Sequence, residues 1–583
     1  MTASTTDATI VPSRIAAAPE QALPRTPRAL ALFVAVLIAV AVAAGIVMRV
    51  WFIGHEPIDA DEAVTGLMAR HILAGHANAF YWGQRYGGVE PYVVAALFWV
   101  AGPSVVTLRL TPVLLDAVSC LLLFAVGRHL VRRRELAALA AAAMWVAPQS
   151  AVWNSTLEYG FRGVTMVCGL ALLLLTRRVL LRGWPGWELA GVGAVAGLGW
   201  WSSPEIVYFA IPAGLWLLWW AWTQRATLRD HVFSVLSWAA AAVAAAAVGA
   251  LPWLWDNVTT GFTSLNVARY FVPTNAPGYG GRLADFFKDA APMLLDLRTP
   301  GSGVWSIARP VALAIYVVAA GIVVSATLWC LVRRNAGAAL GVSVAAFPFL
   351  FALNPGSWLW ESGRYVNFVV PIVLLLIIMP LDQALMPRRP SARTPGPRRR
   401  HGAAAFGAVV LLGLITLSTI DFAQLQKALV PGVVRFGPGG PDAAAAALAA
   451  TLERHGVREG FADYWVAYKL DFISGGRLRI VPSPPSPDRT PALTAKVEAS
   501  PARDAPWLFM TPSLFEETEY HTWHSPVLQG PAGLSEAAFL SDLDHLGIRF
   551  HVLHVGAVDA VYTSRRVTFA EVGLEPHPSD LGS

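Results

Sequence analysis

Apolar residues in this chain come in long runs separated by short polar stretches, and the runs decide what the polypeptide can be. Eleven of them, at 30–52, 104–127, 136–153, 160–181, 187–202, 204–222, 231–254, 309–332, 337–353, 364–385 and 403–421, read as helices that cross a lipid bilayer or nearly match its thickness. A further run, 89–101, is too short to cross and reads as half-inserted; if it crossed, every later side assignment would flip. The first run is longer than a signal-peptide core and lacks a convincing cleavage site. It therefore reads as a retained span behind a disordered tail, residues 1–28, rich in Ala, Thr and Pro.

Arginine marks every second interruption. Arg128, Arg132, Arg133 and Arg134 come first, then Arg177, Arg178 and Arg182, then Arg225 and Arg229, then Arg333 and Arg334, and six more fall between residues 386 and 401. The positive-inside rule puts these loops and the N-terminal tail in the cytoplasm, and puts 53–103, 253–308 and 354–363 outside. An odd number of spans then exports the C-terminus.

Past Asp421 the apolar runs stop. Residues 422–440 read as a linker and 441–583 as a smaller domain that alternates helix (443–455, 535–546) with strand (477–481, 507–511, 548–555), around a Pro-rich loop at 482–506. The expected fold class is an all-α polytopic membrane domain of about 11 transmembrane helices, 29–421, carrying a smaller C-terminal α/β extracytoplasmic domain.

Composition agrees. Of 583 residues 55% are hydrophobic and 14% charged, and the mean hydropathy of +0.51 is too high for a soluble globular protein. The net charge of +6 comes from the loop arginines and reports orientation; no basic patch interleaved with aromatics points to nucleic acid. Cys120, Cys168 and Cys330 lie inside apolar runs as small hydrophobes. Gly191, Gly193, Gly197 and Gly199 follow no strand, so they read as close helix packing and not as a nucleotide fingerprint. His71 and His76 lack metal-ligand partners at suitable spacing.

Candidate chemistry concentrates in the first outer loop. Asp59, Asp61 and Glu62 arrive directly after a span and open a helix whose Val64, Met68 and Ile72 form a stripe able to lie on the bilayer. Such a helix would hold the carboxylates at headgroup height. Asp59 and Glu62 also have the spacing of a capping box, which is a sufficient structural reason for both. Capping does not account for the polar stretch that follows, with Gln84, Arg85, Tyr86 and Glu90.

Together with an Arg364-Tyr365 pair before a late apolar run, these features resemble the GT-C superfamily of membrane glycosyltransferases. The likeness is to the bacterial branch related to protein O-mannosyltransferases and to the aminoarabinose transferases that modify lipid A. The carrying segments are DADEAVTGLMARHIL around Asp61-Glu62, GQRYGGVEPY, and SGRYVNFVVP; the stretch FADYWVAYKLDF also looks like the exported domain of bacterial members, with no chemistry implied. The resemblance implies inverting transfer of one sugar from a polyprenyl-phosphate carrier to a hydroxyl acceptor at the outer face of a bacterial plasma membrane. Asp61 would be the general base, Asp59 the alternative, and Glu62 a cap or metal holder, with no cofactor certain and a divalent metal compatible. Arg364 and Arg85 would meet the lipid phosphate, with Gln84, Tyr86, Glu90 and Glu158 as further binding residues, although Glu158 also fits a helix cap or a partner for Arg162.

Two other functions fit many spans with charged outer loops. A transporter or flippase of lipid-linked saccharides would place ionisable groups near the bilayer midplane, where only Asp116 in the second run stands out. A non-catalytic membrane receptor would bind through its exported domain.

Overall fold

The computed structural model describes residues 28–84, 86–265, 276–384, 402–433, 441–484, 486–510, 535–555 and 558–575. Seven helices among them are long and apolar enough to cross a membrane: Arg28–His55, Val105–Leu130, Arg162–Arg182, Pro204–Thr223, Val232–Gly249, Arg309–Arg333 and Ala405–Lys427. The chain is thus a multi-pass membrane protein. The other four expected runs form shorter helices, Arg134–Val146, Trp187–Ser202, Gly337–Leu353 and Val370–Ala384. The run 136–153 breaks at Pro148, whose missing N–H cannot continue a helix, and resumes as Gln149–Asn154. Glu90–Ala101 is short, as expected, and stops at Gly102 in a positive-φ conformation.

The glycines of Trp187–Ser202 pack helices. A Cβ on Gly193 would lie 1.9 Å from the Ala242 carbonyl oxygen and one on Gly197 2.0 Å from that of Ala246. Only hydrogen fits between these two backbones.

The helix Ala60–Leu73 departs from expectation. Its Val64 and Met68 are fully buried against protein and do not lie on lipid. They pack with Val94, Ala95 and Phe98 of Glu90–Ala101 and with Tyr464, Tyr468 and Phe472 of a helix, Tyr464–Ser474, in the C-terminal domain. Gly66 lets the Phe472 ring approach to 2.3 Å from where a Cβ would sit. Arg70 closes the contact, donating to the Phe472 carbonyl at 2.9 Å with its guanidinium 4.6 Å from that ring.

The C-terminal residues build a five-stranded sheet from β1 (Glu459–Ala462), β2 (Arg479–Pro482), β3 (Trp507–Met510), β4 (Phe550–Val555) and β5 (Val558–Thr563), in the order β2-β1-β3-β5-β4. β1 runs parallel to β2 and β3, while β3–β5 and β4–β5 are antiparallel. The parallel β1–β2 pair requires a crossover, and Tyr464–Ser474 is that crossover helix. Two expectations change here: the supposed linker from 422 begins as helix, since the last of the long apolar helices runs Gly402–Val433, and the Pro-rich stretch holds a helix, Pro491–Ala499, opened by its own proline. Thr511, expected in a strand, lies outside the described residues.

Candidate active site

The first span ends at His55, and the acids follow at the next helix start. Asp59 is the N-cap of Ala60–Leu73: its Oδ1 accepts from the Glu62 N–H at 2.8 Å, while Glu62 Oε2 accepts from the Asp59 N–H at 3.3 Å. The capping box expected from spacing therefore forms. Asp59 Oδ2 accepts from the Tyr159 hydroxyl at 2.7 Å, so both of its oxygens are occupied. Burial, then the charges of Glu62 and Asp61, push the Asp59 carboxyl well above the usual range.

Glu62 is fully buried and bound at both oxygens by Arg109, from Nε at 2.9 Å and from Nη2 at 2.6 Å. Arg109 also donates to the carbonyls of Glu56, at 2.5 Å, and Pro57, at 2.9 Å, tying the loop after the first span to the second. Glu62 Oε1 further accepts from the Glu158 N–H at 3.3 Å. These bonds leave Glu62 no open oxygen for a metal or a proton transfer, and its work is to hold the acid loop.

Asp61, in the first turn of the same helix, differs from both neighbours. Its side chain stays 21% exposed, and its Oδ2 lies 3.9 Å from Arg364 Nη1. Its Oδ1 accepts from the Tyr464 hydroxyl at 2.5 Å, and its backbone carbonyl accepts from the Tyr81 hydroxyl at 2.8 Å. The C-terminal domain thus reaches the acid loop directly. Arg489 stands behind Tyr464, donating to its hydroxyl at 3.3 Å and to the Gly83 carbonyl at 3.3 Å. Burial alone would lower the Arg489 guanidinium, but Tyr464, Tyr81 and Asp61 around it outweigh that and raise it.

Opposite Asp61 is a cationic wall. Arg364 lies with its guanidinium 4.5 Å from the Tyr159 ring and Arg162 with its own 4.4 Å from the same ring. Arg162 Nη1 donates to Asn154 Oδ1, while its Nε and Nη2 are buried with no hydrogen-bond partner. Two guanidiniums sharing one ring, one of them with two unused donors, make an anion-seeking surface. Burial opposes the charge of Arg364, yet Tyr159, Asp61, Tyr365 and Asp59 hold it raised.

Glu158 and Glu90 are fully buried and adjoin each other. Glu158 Oε1 also accepts from the Gly160 N–H at 2.9 Å, and Glu90 Oε2 from the Val164 N–H at 3.1 Å. Desolvation raises both carboxyls, Glu158 further because Glu90 adjoins it. Arg162 instead meets Asn154 and Tyr159, so the expected Glu158–Arg162 pair is replaced by a carboxyl–carboxyl pair. Tyr86 hydrogen-bonds Tyr365 and meets Phe161 edge-on at 5.1 Å. Gln84 is half-buried in the turn after Tyr81, and Arg85 lies outside the described residues.

Spacing alone missed Tyr464, Arg489, Tyr159 and the anion-facing use of Arg162. The one available signal was the likeness of FADYWVAYKLDF, which pointed at the right helix without a role. Among the described residues no group of three or more His, Cys, Asp and Glu side chains is arranged to hold a metal; His71 and His76 stack on each other at 4.4 Å.

No protein-family model matches the sequence, and no curated protein matches it. Solved structures do. ArnT from Cupriavidus metallidurans in its apo state aligns over 94% of this chain and 100% of its own, with a TM-score of 0.54 and 14% identity. The same protein bound to undecaprenyl phosphate aligns over 91% of this chain and 98% of its own, with a TM-score of 0.55 and 13% identity. At such identities the shared property is the fold alone.

Proposed function

From a chain with the GT-C fold, we propose an inverting glycosyltransferase that moves one sugar from a polyprenyl-phosphate carrier to a hydroxyl acceptor at the outer face of the plasma membrane. The observation that carries this reading is the placement of Asp61 beside Arg364, Oδ2 to Nη1 3.9 Å, with Arg162 on the same aromatic ring. A carboxylate base and a pair of phosphate-binding cations are what a glycosyl phosphate needs. The ArnT structure with undecaprenyl phosphate supports a carrier of that kind for this chain.

In the reaction, Asp61 Oδ2 takes the proton from the acceptor hydroxyl as that oxygen attacks the anomeric carbon from the face opposite the phosphate. The bond between the anomeric carbon and the phosphate oxygen breaks, and the lipid phosphate departs with the electron pair. Arg364 and Arg162 stabilise the charge that develops on it. Tyr464, by holding Asp61 Oδ1, leaves Oδ2 directed at the acceptor. Asp59, with both oxygens filled, is the weaker candidate for the base.

A carrier would need an intramembrane acid, and Asp116 does not serve: it is paired with Arg49 at 2.5 Å, whose guanidinium also lies 3.8 Å from the Trp145 ring. The test is turnover of polyprenyl-phosphate sugars by the purified chain, by Asp61→Asn and by Arg364→Ala. Equal turnover by all three sinks the assignment. Mass spectrometry of lipid carried through purification identifies the donor, and a cysteine introduced beside Asp61 must label from outside the cell.

A further inference from the structure

Away from the Asp61 pocket, three elements meet at a second buried polar cluster: the short helix Gln149–Asn154, the loop 296–306 and the last span. Asp296 Oδ1 accepts from the Gln149 N–H at 2.5 Å. Gln149 Nε2 donates to Ser418 Oγ at 2.7 Å and to Met48 Sδ at 3.1 Å, and Ser418 Oγ donates to the Val146 carbonyl at 2.6 Å. The hydroxyls of Thr299 and Ser306 both donate to Asp421 Oδ1, each at 2.5 Å. Ser418 and Asp421, three residues apart, share one face of the last span.

All six of the polar side chains, from Gln149, Asp296, Thr299, Ser306, Ser418 and Asp421, are buried, yet three oxygens have no partner: Gln149 Oε1, Asp296 Oδ2 and Asp421 Oδ2. Neither aspartate has an ion pair among the described residues; Arg298, on the same loop, is engaged by Asp289 at 2.9 Å. Burial, then the neighbouring Asp421 carboxyl, push Asp296 well above the usual carboxyl range, and the Gln149 N–H and Ser418 only partly oppose this. Asp296 also keeps a φ of 56°, a left-handed conformation that a non-glycine residue adopts at some cost and that the surroundings must enforce.

Two buried carboxyls and an orphaned amide oxygen without a positive partner are expensive to keep dry. A cation would supply the missing charge and fill the open oxygens together. The donors are all oxygen, which selects a hard ion, and a mix of carboxylate, amide and hydroxyl donors suits calcium, which accepts about six to eight oxygens in flexible geometry. Magnesium prefers a strict octahedron rich in water.

We propose that Asp296, Asp421 and Gln149, with the hydroxyls of Thr299, Ser306 and Ser418, form a buried site for one hard divalent cation, calcium in first place. The ion joins the last span to the helix Gln149–Asn154. That helix ends in Asn154, whose Oδ1 accepts from Arg162 and whose Nδ2 donates to the Ser362 carbonyl at 2.5 Å, two residues before Arg364. The ion would therefore set where the two cations of the anion-seeking wall stand. The site itself is independent of the glycosyltransferase reading.

The test strips the full-length chain with a chelator, dialyses it against calcium, and measures bound metal by elemental mass spectrometry alongside the thermal unfolding midpoint. The expected result is one calcium per chain and a midpoint that rises with calcium. Asp296→Asn/Asp421→Asn loses both, Asp61→Asn keeps both, and Ser306→Ala or Gln149→Leu, which keep the carboxyls, weakens calcium binding about tenfold or more. Retention of magnesium or manganese in place of calcium, lost in the same double variant, upholds the cation and replaces only its identity. No retained ion and a midpoint indifferent to calcium, magnesium and manganese overturn the proposal. So does an ion that persists in the double variant, or a midpoint that responds to acid alone, the mark of a shared proton.

Discussion

The Tyr464 hydroxyl donates to Asp61 Oδ1 at 2.5 Å across 403 residues of chain, so the C-terminal sheet domain and the loop after the first span share one site. A hydrogen bond to a charged group contributes about 1.5–3 kcal/mol. Tyr464→Phe should lower kcat roughly tenfold to a hundredfold, the rate equivalent of that energy, and leave the donor KM unchanged, because the phenol touches Asp61, the proposed base, and neither Arg364 nor Arg162, the proposed phosphate binders. Steady-state kinetics in lipid decide it; a fall in KM-governed binding with kcat intact would refute the positioning role.

Arg162 and Arg364 predict the opposite split. Arg162→Ala and Arg364→Ala should each weaken retention of undecaprenyl phosphate about tenfold, consistent with loss of a charge-assisted bond. Native mass spectrometry of the purified chain reads this without any turnover. Undiminished lipid retention in both variants would remove the phosphate from this wall.

Glu62 and Arg109 should matter for folding before chemistry. Glu62→Gln leaves a fully buried Arg109 with its charge uncompensated, a change that costs about 3–5 kcal/mol. Glu62→Gln/Arg109→Met should recover much of that loss, since a neutral pair avoids the orphaned charge. Thermal unfolding of the three chains checks it, and a double variant no better than Glu62→Gln would show that the pair is not the source.

A pH dependence is expected at the joint between domains. Asp471, buried on the helix that meets Ala60–Leu73, has its carboxyl pushed from 3.8 to about 7 by burial, against the opposing charges of Arg70 and Arg479. Between these values the folded chain holds a proton that the unfolded chain releases, so stability falls as pH rises from about 4 to about 7. Asp471→Asn should flatten that slope. Unfolding midpoints measured across this interval check it, and an unchanged slope assigns it to other carboxyls.

The helices were legible because the bilayer imposes one rule on every residue of a span, and apolar runs are a local property. One length was less so: the run 136–153 contains its own interruption at Pro148, whereas 337–353 is a single helix over those same residues. Within the acid loop, spacing was enough for the Asp59–Glu62 cap, which is a contact between residues three apart. It was not enough to separate the three acids. That separation comes from Arg109, Tyr159 and Tyr464, which reach the loop from other segments and occupy Glu62, Asp59 and one oxygen of Asp61 respectively.

The stripe Val64, Met68 and Ile72 marks the division most plainly. Its period dictates an amphipathic helix, whatever covers the apolar face. That the cover is Tyr464, Tyr468 and Phe472 and not lipid was decided by the docking of a sheet domain more than 390 residues further along. The sequence alone determined where the chain is apolar, where it can turn, and which residue types stand at the membrane edge, because these depend on neighbours within a few positions. Which acid stays open, which donors of Arg162 stay unfilled and which oxygens remain without a partner depend on side chains brought together from distant segments, and only the tertiary structure decides them.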